Sequence, residues 1–280
     1  MRSLGNHLKT AILLGALMGL FVLVGSMWGT QGMVVGLLFG GVMNVVAWFF
    51  SDTLAIKAMQ ARQVDEHTAP ELVQMVRRLS ARAELPMPRV YICPHDAPNA
   101  FATGRSPRKG AVAVTQGLLR IMNERQLAGV IAHELAHIKN RDTLISCIAA
   151  TVAGVLAFLA QSFFFFGGGR REGSHPLLGL LVVILAAVGA AIIQAMISRT
   201  REYIADETGA RIAGDSEGLA SALLQLDAHA RRIPLVQPNP AQNNLFIVEP
   251  LAGGARSLIN IFATHPPVEA RVRALRSIQL

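Results

Sequence analysis

The chain of 280 residues is apolar and basic, with 52% hydrophobic residues, 16% charged residues and a net charge of +8. Its mean hydropathy of +0.41 is too high for an ordinary soluble domain and is typical of a protein with several membrane spans. The basic residues form no dense stripe and aromatic residues are only 6%, which disfavours nucleic acid as a partner. Cys93 and Cys147 lie far apart in the sequence, so neither a disulfide framework nor a cysteine zinc site is expected.

Four apolar runs predict four transmembrane helices, at about residues 10–28, 33–50, 143–166 and 177–197. The first run is interpreted as an uncleaved span, because it is long for a signal peptide and no small-residue cleavage site follows it. Asn44 is the one strongly polar residue of the second run. We expect it to form a hydrogen bond between helices rather than a transport site.

Two polar segments, residues 51–142 and 198–280, alternate with the paired spans of residues 1–50 and 143–197. Because the number of spans is even, both polar segments and both termini lie on one side of the membrane. The first polar segment has thirteen Lys and Arg residues and the second has nine, whereas the loop between the last two spans has two. The positive-inside rule therefore places both segments in the cytoplasm, where we expect them to form one α+β domain.

The first polar segment carries signals for helices and for strands. Residues 68–71 match a T-x-x-E capping pattern with a proline early in the helix that follows. Strands are predicted at residues 89–93 and 111–115. Asn123 is the predicted N-cap of a further helix. We expect that helix to continue without a break into the third span, which begins at Thr143.

This helix carries an H-E-x-x-H motif at His133, Glu134 and His137. Residues four apart on a helix share a face, so the two imidazoles point the same way. Together they can hold one zinc ion at about 2.0–2.1 Å. Glu134 lies one position round the helix, where it would act on a water molecule at the metal rather than bind the metal. A helix with two incidental histidines is the alternative, and chance matches to this motif are rare.

A catalytic zinc site needs a third protein ligand and an open position for water. Glu202 is the best candidate, because it follows the fourth predicted span and so lies at the same membrane face as His137. Asp206 is four residues further on and shares its helical face. A carboxylate there can accept the second N–H of a histidine ligand and fix its orientation. The alternative is a surface helix with two solvated acids.

Four motifs together carry a resemblance to a known family: H-E-L-A-H at residues 133–137, S-R-T-R-E-Y-I-A-D at 198–206, T-H-P-P at 264–267 and N-A-F-A-T-G at 99–104. They resemble the HtpX family of membrane-bound zinc metalloproteases, which are of gluzincin type and distantly similar to the CAAX prenyl proteases. The resemblance extends over nearly the whole chain, including the four apolar runs. The loop at residues 234–244, rich in Pro and Asn, has no assigned role.

The resemblance implies a zincin-like metalloprotease domain with one Zn²⁺ per chain. The implied zinc ligands are His133, His137 and Glu202, with Glu134 as the catalytic glutamate and Asp206 as a support for the ligands. It also implies a bacterial inner-membrane protein with its active site in the cytoplasm and a role in stress response and membrane-protein quality control. Its partners would be membrane-protein substrates and the lipid bilayer.

His265 and Arg271 are further candidate site residues near the C-terminus. The family pattern brings the region of His265 near the site, where it would stabilise the developing oxyanion. Capping of the terminal helix is an equally good interpretation of His265. Arg271 is expected to pair with Asp206, and a position on a solvated face is the alternative.

Asn99, Ala100 and Phe101 are candidate substrate-binding residues. The segment from Asn99 to Ala102 is expected to offer an edge strand to an extended substrate, with main-chain hydrogen bonds that tolerate many sequences. The Phe101 side chain either packs in the core or lines a substrate pocket.

The function predicted from these features is an integral-membrane zinc metalloendopeptidase that acts on cytoplasmic regions of membrane proteins. A CAAX-type processing protease is one alternative, although four spans are few for an enclosed chamber. A non-enzymatic zinc-binding scaffold or chaperone is another, although a structural zinc site needs a fourth protein ligand and none is evident. A transporter is disfavoured because the central parts of the apolar runs contain no charged residue.

Overall fold

A computed structural model describes residues 2–26, 29–146, 148, 199–230 and 266–280 of the chain. These residues are mainly helical and include one small sheet, as the sequence predicts. In chain order the elements are α1 (Arg2–Ser26), α2 (Gly29–Ala58), β1 (Arg62–Val64), α3 (Pro70–Arg82), β2 (Arg89–Cys93), β3 (Ala100–Thr103), β4 (Ala111–Thr115), α4 (Gln116–Ile121), α5 (Glu124–Asn140), α6 (Arg199–Ala213), α7 (Ser216–Ala230) and α8 (Val268–Arg276).

Helices α1 and α2 form an antiparallel hairpin whose backbones touch at glycines. A Cβ atom on Gly36 would collide with the carbonyl oxygen of Phe21, and one on Gly25 would collide with that of Gly32. Small residues allow such close approach, which is how apolar helices gain packing contacts in a membrane. The glycines therefore fix the register of the hairpin.

Asn44 of α2 donates a hydrogen bond from its side-chain amide to the carbonyl oxygen of Leu14 in α1, at 3.0 Å. This is the bond between helices that the sequence predicts. Among the described residues, one helical segment, Gly29–Phe50, is long and apolar enough to cross a membrane, and α1 has a shorter apolar segment, Leu14–Leu23. Most of residues 143–197 lie outside the described residues, so the number of four spans stays a prediction.

The sheet has the order β1-β2-β4-β3, with β2 and β4 parallel and both outer strands antiparallel to their neighbours. Strands β2 and β4 coincide with the two predicted strands. One face of the sheet packs on the main core of helices α3, α5, α6, α7 and α8. The other face packs on Ile56 and Met59, at the end of α2. The helix that leaves the apolar hairpin thus continues directly into the core of the domain.

Two local predictions are wrong. The T-x-x-E pattern does not cap α3, whose N-cap is Ala69 and receives no side-chain bond. The Thr68 hydroxyl instead accepts from the backbone N–H of Asp65, at 2.9 Å, and so stabilises the preceding turn. The capping box predicted for α5 does form, because Asn123 accepts from the N–H of Gln126 and the Gln126 side chain accepts from the N–H of Asn123.

The second wrong prediction is that α5 continues unbroken into the third apolar run. The helix ends at Asn140, and Arg141 adopts a left-handed conformation with φ of 60°. Helical structure resumes at residue 143, so the chain turns between His137 and the apolar run. After this turn Leu144, Ile145 and Ile148 pack in a small core with Leu17 and Phe21 of α1. The apolar run therefore begins against the hairpin, after a break in the helix.

We predict that Gly36→Ala destabilises the hairpin by about 1–3 kcal/mol, since the added methyl group overlaps the Phe21 carbonyl. Gly19→Ala is the matched control in the other helix, because a Cβ there has no atom within 4 Å. It should be neutral or stabilising, as alanine has the higher helix propensity. Unfolding in mixed micelles followed by circular dichroism measures both variants. Equal stability of the two would contradict the close packing.

Candidate metal and catalytic site

Close packing of α6 on α5 brings the predicted site residues together. A Cβ atom on Gly209 of α6 would lie 2.9 Å from both the Cα and the N of His133. No other residue type allows the two backbones to approach this far. Two turns before Gly209, Glu202 therefore reaches the helical face that carries His133 and His137.

The donor atoms of His133, His137 and Glu202 lie within 4.8 Å of one another. The two histidine Nε2 atoms are 3.2 Å apart. The Glu202 carboxylate oxygens lie 3.8 Å from Nε2 of His133 and 3.6 Å from Nε2 of His137. Three ligands bound tetrahedrally to zinc at about 2.0–2.1 Å would be about 3.4 Å apart, so the spacing of these atoms suits a small divalent cation.

The electrostatic environment of this cluster also favours a cation. Burial acts to lower the pKa of His137, but Asp142, Glu202 and Glu134 outweigh it and raise the pKa to about 9. The same carboxylates stabilise a bound metal ion in place of an imidazolium proton, because both carry positive charge. Position, ligand type and charge thus all fit a metal site.

The far side of His133 is supported by a buried ion pair. Its Nδ1 lies 3.0 Å from a carboxylate oxygen of Asp206. Arg271, which is 0% exposed, donates to both oxygens of Asp206 at 2.7 and 2.8 Å. Burial tends to raise the pKa of Asp206, but Arg271 and His133 outweigh it and lower the pKa, so the carboxylate is ionised. The pair therefore lies against the Nδ1 side of His133, while Nε2 faces His137 and Glu202.

The far side of His137 has a similar support, which the sequence did not reveal. Its Nδ1 lies 3.4 Å from Asp142, whose other oxygen is 3.8 Å from the guanidinium of Arg201. Asp142 reaches back to His137 only because α5 ends at Asn140 and the chain turns. The signal in the sequence was a lone carboxylate between the motif and the apolar run, but the predicted continuous helix would have pointed it elsewhere.

Glu134 is buried beside this cluster and is 4% exposed. Burial raises the pKa of its carboxyl group, against the opposing effect of His133 and His137. The backbone N–H of Ala102 in β3 donates a hydrogen bond to the carboxylate. This bond links the glutamate to β3, one of the two outer strands of the sheet.

The predicted substrate-binding residues lie on or next to this strand. Asn99 is buried just before β3, and its backbone N–H donates to the Thr115 hydroxyl at 2.8 Å. The Phe101 side chain is 3% exposed and packs in the core against Tyr91 and Met59, which is one of the two alternatives given above. That side chain is not available to a substrate. His265 lies outside the described residues.

This arrangement is that of a metallopeptidase: two histidines of an H-E-x-x-H helix, a third carboxylate ligand and a buried glutamate beside them. Residues 66–279 match the family model described as "Peptidase family M48". The chain is 50% identical to "Protease HtpX homolog" of Pelotomaculum thermopropionicum, over 98% of this chain and 100% of that protein. It is 48% identical to the protein of that name in Desulforapulum autotrophicum, over 98% and 90% of the two chains.

The chain therefore belongs to peptidase family M48 and, within it, to the HtpX proteases, which confirms the family resemblance and the assignment as a metalloprotease. The crystal structure of S. mikatae Ste24p has the same fold, with a TM-score of 0.52 at 15% sequence identity. The match covers 98% of this chain and 66% of that protein.

We predict that Glu202→Ala removes most metal affinity, because only two histidine ligands remain. Asp206→Asn should weaken binding less, by about 10–100-fold, as is usual when a residue that orients a ligand is changed. Glu207→Ala is the matched control on the same helix, since its exposed side chain pairs with Arg211. Competition with a chromophoric chelator measures all three. Full metal affinity in the Glu202 variant would show that the third ligand is another residue.

Proposed function

We propose that the chain is an integral-membrane zinc metalloendopeptidase that cleaves cytoplasmic regions of membrane proteins and serves membrane-protein quality control in a bacterial inner membrane. The observation that carries this proposal is the convergence of His133, His137 and Glu202 beside the buried Glu134. The turn after α5 leads from this cluster into an apolar run that packs on the α1–α2 hairpin.

Zinc is the proposed metal because its preferred ligands are present. Two imidazoles and one carboxylate form a frequent catalytic zinc set, and they leave a fourth position open. A structural zinc site would use four protein ligands, and the cluster of described residues contains three. The composition of the cluster thus favours an enzyme over a zinc-stabilised scaffold.

Zinc held by His133, His137 and Glu202 would supply a Lewis acid and would lower the pKa of a water molecule in the site. Glu134 is the proposed general base, and it takes a proton from the attacking water. The same carboxyl group then gives this proton to the leaving amine. The bond from the N–H of Ala102 holds the carboxylate in place for both transfers. His265 is the proposed donor to the developing oxyanion.

Strand β3 is the proposed binding strand for an extended substrate. The Asn99 carbonyl accepts from the N–H of Thr115, at 2.9 Å, and backbone bonds alternate along an antiparallel pair. The N–H and C=O groups of Ala100 and Ala102 consequently point away from β4. Because the Ala102 N–H bonds to Glu134, the two groups of Ala100 and the Ala102 carbonyl are the ones proposed to pair with a peptide. In the part of the chain that the structure describes, no strand pairs with that edge. A peptide that pairs there would lie beside Glu134 and receive hydrogen bonds that depend little on its sequence.

We propose that residues 51–142 and 198–280 form the cytoplasmic protease domain, and that residues 1–50 and 143–197 provide two membrane helices each. The described ends of these segments support this division. The apolar segment Gly29–Phe50 continues as α2 into the core of the domain, and the helix after Asp142 begins against α1. In the proposed topology, both connections would keep the metal site near the membrane surface.

We predict that Glu134→Gln keeps the metal and abolishes peptide cleavage, because the amide preserves the shape of the side chain but is no longer a base. Metal content and cleavage of a quenched fluorescent peptide should therefore separate in this variant. Glu124→Gln, in the exposed first turn of the same helix, is the control and should keep both properties. Cleavage at the parental rate by the Glu134 variant would rule out the general-base role.

We predict that cleavage depends on the distance of the scissile bond from the membrane. One cleavable sequence is placed at increasing distances from a transmembrane helix in a reconstituted bilayer. A tether raises the effective concentration of the peptide to about the millimolar range for short flexible linkers. Cleavage should fall as the sequence moves beyond reach of the site. Equal rates at all distances and for the free peptide would remove the case for membrane-proximal selection but would leave the peptidase assignment intact.

A further inference from the structure

A basic cavity of about 490 Å³ lies where α2 leaves its apolar segment. It is separate from the metal site and is called here the interfacial cavity. Two aromatic and four cationic side chains form much of its lining: Phe49, Phe50, Arg89, Arg105, Arg108 and Lys109. The volume is within the range of about 300–1,000 Å³ that is usual for small-molecule sites.

The charge of the interfacial cavity is strongly positive. Its one acidic lining residue is Asp52, and this carboxylate lies 3.3 Å from the Arg89 guanidinium. For Arg105, Arg108 and Lys109, no carboxylate lies at ion-pair distance within the described residues, although the other arginines of the domain surface commonly have one. The cavity therefore gathers three cations that a bound anion would neutralise.

Two of the four cations, Arg89 and Arg105, have contacts that hold them at the cavity wall. Gly104 has φ of 122°, and a Cβ there would collide with the carbonyl oxygen of Lys109, so the loop is closed tightly on itself. The Arg105 guanidinium lies over the Phe49 ring, 5.1 Å from its centroid. Arg89 donates to the Lys109 carbonyl at 3.4 Å. The loop and two of the cations are thus fixed by contacts within the protein itself.

The position of the cavity indicates where its anion comes from. Phe49 and Phe50 are the last residues of the apolar segment Gly29–Phe50, and their side chains are 48% and 52% exposed. An apolar segment of this length spans the hydrocarbon of a bilayer, so its last residues lie at the boundary with the lipid headgroups. The cationic side chains consequently surround a space at headgroup level, while the two rings extend from it towards the hydrocarbon.

We propose that the interfacial cavity binds the phosphodiester headgroup of an anionic phospholipid. Arginine guanidinium groups bind phosphate oxygens in a bidentate manner, and lysine adds a point charge. The acyl chains of the same lipid would lie along Phe49 and Phe50. A topological role of these basic residues alone would need their charge on one side of the membrane, but it would not need them around one preformed cavity. The inference rests on the proposed membrane span and is independent of the proteolytic function.

The test uses the full chain in nanodiscs of phosphatidylcholine with phosphatidylglycerol as a minor component. Native mass spectrometry measures the phosphatidylglycerol retained by the released protein. Arg105→Gln/Arg108→Gln removes two charges from the cavity, and Arg77→Gln/Arg211→Gln removes two from exposed ion pairs elsewhere in the domain. Each basic residue at the interface changes the affinity for anionic lipid by about fivefold. The cavity variant, which lacks two, should therefore retain at least about tenfold less phosphatidylglycerol than the parent. The control should match the parent.

Three outcomes would overturn the proposal. The first is equal retention of phosphatidylglycerol by the two double variants, and the second is equal retention of phosphatidylcholine and phosphatidylglycerol by the parent. The third is that soluble glycerol 3-phosphate binds the parent in pure phosphatidylcholine nanodiscs as well as phosphatidylglycerol does. The last would assign the cavity to a soluble phosphate compound. Arg108→Gln alone is the second variant, because this exposed side chain has no described partner and its loss should not affect folding. It should lower retention severalfold. Cleavage of a soluble peptide by every variant reports the protease function separately.

Discussion

A buried guanidinium group joins the parts of the chain that form the metal site. Arg271 of α8 is fully enclosed, and such a charge is tolerated only when it is paired and hydrogen-bonded. Both oxygens of Asp206 accept from it, and a Glu202 oxygen lies 3.6 Å away. Through Asp206 the contact extends to His133 of α5. Loss of either partner would leave an uncompensated charge in the core, so the three helices depend on one another for stability.

The metal site forms only when the two polar segments of the chain pack together. Helix α5 belongs to the first polar segment, whereas α6 and α8 belong to the second, beyond residues 143–197. Neither segment holds a complete metal site. Gly209 and Gly129 let the backbones of α6 and α7 contact α5 directly, without side chains between them. Because backbone contacts leave little freedom for rotation or sliding, the distances between the ligand atoms are set by helix packing rather than by flexible side chains.

The sequence predicted the features that local rules determine. The capping box at Asn123, the spacing of the two histidines and the strands at residues 89–93 and 111–115 depend on neighbouring residues alone. The three-residue strand β1 was missed, because a segment this short has no alternation to detect. The end of α5 was also missed, because a left-handed arginine is unfavourable locally. Two contacts accompany that conformation: the Asp142 carboxylate lies beside the His137 ring, and the Asp142 N–H donates to the His137 carbonyl.

The same turn determines how the site lies relative to the apolar hairpin. Gly104 follows β3, and its carbonyl accepts from the hydroxyl of Thr143, the first residue of the apolar run, at 2.7 Å. The C-terminal end of β3 is therefore attached to the start of the apolar run, and its middle is attached to Glu134 through Ala102. A peptide that pairs with β3 would have one end directed towards the apolar hairpin and its centre at the metal. Membrane proximity in this protein would then act on the orientation of the substrate as well as on its local concentration.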